Sequence, residues 1–289
     1  MSKKKIVVVG NGMVGHKFID NILQSESDDF DVITFSEEPR LAYDRVQLTA
    51  YFKRGNAEDL ALTSEEYYQS NGVNYLLNAK VAQLDTDNKC VVTESGHTES
   101  YDTLILATGS FPFVPPIPGN DQEHCHVYRT IEDLDAIELS SKSSKSGVVI
   151  GGGLLGLEAA NAVKNLGLET HVVEFAPRLM AVQLDDGGGA LLRRKIEDLG
   201  VQVHTEKATS EIVAGETSRY RMNFADGTHL ETDMIVFSAG IRPQDALARS
   251  SDIAIGERGG IVINDHCQTN IDNVYAIGEC ATLRLLVPT

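Results

Sequence analysis

The chain has 289 residues, 42% hydrophobic and 23% charged, which suits about two globular domains with a sizeable core. Its 25 basic and 42 acidic residues leave a formal charge of −17, which argues against a nucleic-acid binder relying on a general basic surface. No apolar run approaches the roughly 18 residues of a membrane span, so no membrane role is expected and the cytoplasm is the expected location.

Met1-Ser2-Lys3-Lys4-Lys5 is basic, but the apolar stretch behind it is too short for a signal peptide and runs straight into a glycine turn. Ile6-Val7-Val8-Val9 reads as a strand buried on both faces. Gly10, Gly12 and Gly15 then fill the three positions of G-x-G-x-x-G. Val14, Phe18, Ile19, Ile22 and Leu23 recur behind them at helical spacing. Strand, tight turn and helix together are the context that gives the motif meaning: a pyrophosphate would lie at the helix N-terminus, against free N–H groups.

Asp31 to Phe35 predicts the second strand, after which an acid should bind ribose hydroxyls; Glu37 and Glu38 both qualify. Residues 42–48 predict a loop and short helix carrying Arg45, whose guanidinium matches phosphate oxygens. A helix beginning at Ser64 stops at Asn71-Gly72, and short strands follow from Val73 to Val92. Asp102 to Gly109 is an apolar strand ending in the small residues Ala107, Thr108 and Gly109. Pro112, Pro115, Pro116 and Pro118 then make a stiff segment that suggests an interdomain crossing.

The pattern now repeats. Gly147 to Ile150 is a strand, Gly151, Gly153 and Gly156 repeat the glycine spacing, and the helix from Leu154 ends at Gly167. His171 to Glu174 forms the second strand, its acid 18 residues past Gly156, close to the spacing expected for a ribose-binding carboxylate. Glu174 would repel a 2′-phosphate, which favours NADH over NADPH. Short strands from Val201 to Phe224 and a turn at Asp226-Gly227 lead to Asp233 through Gly240, built like residues 102–109. Gly260 to Ile263 and Asn273 to Glu279 are two further strands, expected to return to the first module. The expected organisation is α/β, with two Rossmann-like domains, the second inserted in the first. Each carries a three-layer ββα-type arrangement and a β-meander. The boundaries are 1–118, 119–241 and 242–289. Two dinucleotide sites in one chain imply electron transfer between nicotinamide and flavin.

The four cysteines, Cys90, Cys125, Cys267 and Cys280, have no C-x-x-C or metal spacing, so neither a metal site nor a paired-cysteine redox disulfide is expected. His124-Cys125-His126 cannot easily converge on one ion and reads as loop.

Seven stretches carry a resemblance: GNGMVGHKFI (10–19), EEPRLAYDRVQL (37–48), YRTIEDLDAI (128–137), GGGLLGLEAANAVKNLGLETHVVEFAPRLM (151–180), GIRP (240–243), GGIVIND (259–265) and YAIGECA (275–281). Over essentially its whole length the chain resembles the N-terminal part of the NADH-dependent sirohaem nitrite reductase large subunits. These lie within the wider group of two-dinucleotide-domain flavoprotein reductases. The resemblance implies FAD on the first domain, at Gly10, Gly12, Gly15 and Arg45, with Val81 at the adenine end. Thr108 and Gly109 would approach the cofactor, Arg129 the isoalloxazine, and Glu279, after Gly278, the ribityl chain. NADH would use Gly151, Gly153, Gly156 and Glu174, with Glu158 and Gly240 on the nicotinamide side. Glu158 reads equally as a solvent-facing helix residue. No side chain is assigned as catalytic, because hydride transfer between stacked rings requires no acid or base.

Ala50 stands where oxygenase-type ferredoxin reductases carry a lysine, and Gly278-Glu279 replaces the Gly-Asp of most of the wider group. The chain stops nine residues after Cys280, and the Leu283 to Thr289 tail does not continue the pattern. A fragment is therefore expected, with the iron–sulfur and sirohaem ligands outside it and partners in the downstream domains, a small subunit or a second copy. The alternatives are a stand-alone NADH–rubredoxin or ferredoxin reductase, an NADH oxidase, or a nucleotide-binding sensor without turnover.

Overall fold

The computed structural model describes residues 3–25, 29–54 and 56–283; the tail at 284–289 lies outside them. Two compact units emerge, the first from Met1–Asp44, Leu60–Phe111 and Arg242–Thr289, the second from Arg45–Asp59 and Pro112–Ile241.

The first unit is built on a five-stranded parallel sheet ordered Val274–Ala276, Thr103–Leu106, Lys4–Val9, Phe30–Phe35, Asn74–Leu76. Alternation along the central strand separates its two faces. Ile6 and Val8 pack with Ile19, Tyr68 and Val73 on the helical side. Val7 and Val9 pack with Val81, Leu84 and Val91 of an antiparallel meander formed by Val81–Asp85, Cys90–Thr93 and Thr98–Ser100. Every side chain of Ile6 to Val9 is thus buried, which is why that stretch carries no polar residue. Helix, parallel sheet and meander are the three layers expected.

The second unit repeats the plan with strands ordered Cys125–Val127, Met234–Phe237, Ser146–Ile150, Glu169–Val173, Val201–His204, all parallel. Val148 and Ile150 meet the meander residues Ile212, Met222 and Phe224. Helix Leu154–Asn165 covers the other face and ends at Gly167, in the left-handed region at φ 88°. Helix Ile131–Ser141 opens with a reciprocal Thr130–Asp133 capping box. Helix Asp186–Asp198 starts behind Asp185, whose carboxylate accepts from Gly188 N at 2.7 Å.

Residues 112–118 belong to the second unit, where Phe113 N donates to Gly240 O and Ile212 N to Pro118 O, both at 2.9 Å. Of the two returning strands, Val274–Ala276 joins the first sheet, whereas Ile261–Ile263 pairs with Ala281–Leu283 in a separate ribbon.

Candidate dinucleotide sites

In the first unit the central strand ends in Gly10, at φ 109°, where a Cβ would collide with the carbonyl oxygen of Ala107. A Cβ on Gly15 would collide with the Gly10 carbonyl, so helix and turn touch backbone to backbone. Gly12 is different: a Cβ there meets nothing within 4 Å. It is the N-cap of helix Met13–Gln24, with no side-chain cap and no acid in the first turn. The helix therefore opens on bare N–H groups with space before them, the arrangement that receives an anion.

Beside this turn a cleft is lined by Val9, Gly10, Phe35, Glu37, Ala79, Lys80, Val81, Thr108, Gln244, Ala246 and Leu247. Of the two candidate acids, Glu37 reaches the cleft, while Glu38 accepts a 2.8 Å bond from Tyr43 OH. Thr108 Oγ1 donates to Gln244 O at 2.5 Å and Gln244 N to Gly109 O at 2.9 Å, fixing the end of the Ala107-Thr108-Gly109 segment. Gly278, at φ 78°, lies against Val14 of the first helical turn, and Glu279 accepts from Ser110 Oγ at 2.6 Å.

The second unit reproduces this cradle. Gly151, at φ 122°, abuts the Ser238 carbonyl; Gly156 abuts the Gly151 carbonyl; Gly153 caps helix Leu154–Asn165 over open space, with no acid in its first turn. Glu174 follows the Glu169–Val173 strand and accepts two main-chain bonds, from Gly152 N at 2.5 Å and Ala176 N at 2.7 Å. The same carboxylate that should meet a ribose also fastens the glycine turn. Arg178 is committed elsewhere, to Leu184 O at 2.9 Å and Asp186 Oδ1 at 2.8 Å.

Glu158 is half-buried, and burial pushes its carboxyl above the ordinary range. Its charge and, chiefly, burial drive the Tyr128 phenol up to about 12; that hydroxyl pairs with Thr49 Oγ1 at 3.1 Å. Arg45 lies in the second unit, where its Nη1 donates to the Arg129 carbonyl at 3.0 Å. Arg129 N in turn donates to Asp133. Gly240 sits at φ 106° with open space beside it.

His124 sits in the turn before the Cys125–Val127 strand, as expected, but Cys125 and His126 are not loop residues: they belong to that strand, which pairs with Met234–Phe237. Both imidazole rings reach Ser140 Oγ, at 3.0 and 2.6 Å. The four cysteines are free, and among the described residues no group of three His, Cys, Asp or Glu could hold a metal. Nor is any helix among them long and apolar enough to cross a membrane. Sequence reasoning missed Lys80, Gln244 and Tyr128. Gln244 stood one residue past Gly240-Ile241-Arg242-Pro243, and Tyr128 beside Arg129.

The profile of the pyridine nucleotide-disulphide oxidoreductases matches residues 4–288. The chain is 55% identical over 284 residues to the nitrite reductase (NADH) large subunit of Escherichia coli (strain K12), covering 98% of this chain and 34% of that protein. It is 55% identical over 282 residues to the NAD(P)H nitrite reductase large subunit of Klebsiella oxytoca, covering 97% and 29%. It thus spans about a third of the length of these curated relatives. Among solved structures, the ferredoxin reductase for the CYP199A2 system from Rhodopseudomonas palustris matches with a TM-score of 0.91 at 25% identity, over 97% of this chain and 69% of that one.

Proposed function

The chain belongs to the pyridine nucleotide-disulphide oxidoreductase family, and from that premise we propose that it is the reductase portion of an NADH-dependent nitrite reductase large subunit. FAD is assigned to the first unit and NADH to the second. The observation that carries this is the pair of uncapped helix mouths at Gly12 and Gly153, each behind the central strand of a five-stranded parallel sheet and each bare where a dinucleotide pyrophosphate needs backbone contact. Identity of 55% to nitrite reductase large subunits supports the choice within the family.

In this reading Gly10, Gly12 and Gly15 shape the first cradle and Glu37 accepts hydroxyls of the adenosine ribose. Val81 borders the adenine, Thr108 and Gly109 line the approach, and Glu279 faces the ribityl chain. Glu174 accepts both hydroxyls of the NADH ribose through lone pairs left over from its two main-chain bonds. Glu158, half-buried on the helix behind Gly153, stands on the nicotinamide side. Bound FAD supplies what no side chain can: it takes a hydride from NADH and releases the electrons singly. Iron–sulfur and sirohaem centres outside this chain would supply the onward path to nitrite, with ammonium as product, in the cytoplasm.

A visible spectrum recorded before and after anaerobic NADH tests the reading. The expected outcome is a yellow protein that NADH bleaches. A chain that takes up no FAD, or whose yellow colour NADH leaves unchanged, contradicts it.

A further inference from the structure

The two glycine turns are fastened differently. In the second, the middle residue must be bare, because a Cβ on Gly152 would come within 2.7 Å of Leu179 Cδ2 and 3.0 Å of the Glu174 carboxylate. In the first, the middle residue is Asn11. The bonds Gly10 N to Phe35 O and Gly151 N to Val173 O set the two turns in register, so Ser36 occupies the place of Glu174. Ser36 Oγ accepts from Glu38 N at 3.2 Å. The fastening carboxylate of the second turn has no counterpart there.

The amide of Asn11 takes over. Asn11 is 5% exposed, and its Oδ1 accepts a 3.0 Å bond from the hydroxyl of Tyr68, a fully buried residue of helix Glu65–Ser70. His16 Nδ1 lies 3.0 Å from the same hydroxyl. Tyr68 has one hydroxyl hydrogen, and the bond to Asn11 Oδ1 takes it. The relay His16, Tyr68, Asn11 fixes which way the amide is turned. Its Nδ2 then finds no partner among the described residues. A buried donor left unmet is costly, and this one stands between the two glycines of an anion-receiving turn.

We propose that Asn11 Nδ2 donates to the pyrophosphate of the dinucleotide held by the first unit, and that Tyr68 and His16 are positioning residues that aim it. This rests on the assignment of FAD to that unit.

The test uses the whole chain stripped of flavin, titrated with FAD by quenching of flavin fluorescence, with thermal melting of each apoprotein alongside. In Asn11→Leu/Tyr68→Phe both hydrogen-bonding partners give way to apolar groups of similar shape, so the apoprotein should melt at or above the wild-type temperature. FAD affinity should nevertheless fall by roughly tenfold or more, as expected for a lost bond to a charged group. Tyr68→Phe alone, which keeps Nδ2 but frees its orientation, should fall in between. A purely structural role would move stability and affinity together. Should the double variant misfold, Asn11→Ala serves with the same expected loss. An FAD affinity reduced by less than that in the folded variant overturns the proposal. Failure of the wild-type chain to bind FAD overturns the cofactor assignment instead.

Discussion

Individual positions in the cradles do opposite jobs, and substitutions separate them. Gly10→Ala adds a Cβ at positive φ, against the Ala107 carbonyl, and should destabilise the chain by about 2 kcal/mol or more in denaturant unfolding. Glu174→Ala removes the acceptor of two main-chain N–H groups as well as the proposed ribose acid. It should therefore weaken NADH binding by roughly tenfold or more without a matching gain for NADPH, measured by titration of both coenzymes. Arg178 would have to abandon Asp186 and Leu184 before it could serve a 2′-phosphate. At this scale the sequence was legible where a residue type has one physical use. The glycines behind Val9 and Ile150 announce a turn that admits nothing else. Glu37 and Glu38 read alike in the sequence; they differ in surroundings that it does not state, Glu37 lining the cleft and Glu38 accepting from Tyr43 OH. Asn11 was inside the motif, but its role depends on Tyr68, 57 residues away.

Among the elements, helix Asp186–Asp198 shows how local composition can mislead. It opens Asp-Gly-Gly-Gly, the composition of a loop, yet Asp185 caps it and Gly189 lets it close on the stem of Arg178. Gly187 has no such duty; a Cβ there is in ordinary contact only with Asp185 Oδ1, at 3.7 Å. Gly187→Ala should stabilise the chain by roughly 0.5–1 kcal/mol, seen as a melting temperature about 1–3 °C higher. Gly189→Ala, within 2.9 Å of Arg178 Cδ, should not. The parallel strands were legible because burial on both faces demands unbroken apolar runs. The short strand Cys125–Val127 was not, since His126 breaks its apolar pattern and its partner Ser140 sits on a different element.

Strands Glu169–Val173 and Val201–His204 also bring His171 and His204 together, rings stacked at 5.4 Å with Nδ1 and Nε2 3.1 Å apart. Burial holds both below the ordinary imidazole value; the Glu169 charge beside His171 opposes this, and Lys207 and Arg193 beside His204 reinforce it. A histidine whose folded value is depressed contributes stability above its unfolded value, near 6.5, and loses it as pH falls toward the folded value. The melting temperature should therefore drop between about pH 7 and pH 5, and His171→Gln should make that drop shallower.

On the scale of the whole molecule, the duplication is what the sequence stated most clearly. Two glycine turns and two meanders became two units that share the order of four parallel strands, the fifth, at the edge, coming last in the first unit and first in the second. The segment Arg45–Asp59 was beyond reach, since its place in the second unit depends on bonds such as Tyr51 OH to Asp135 Oδ1, at 2.5 Å. If each unit has its own dinucleotide, the cradles must be separable by substitution at the two open glycines, where an added Cβ meets no protein atom within 4 Å. The most direct measurement is the flavin absorbance of Gly153→Val under anaerobic NADH. The account predicts a folded yellow protein that keeps FAD yet no longer bleaches. A variant that bleaches as fast as wild type, or that loses its flavin while still folded, would contradict it.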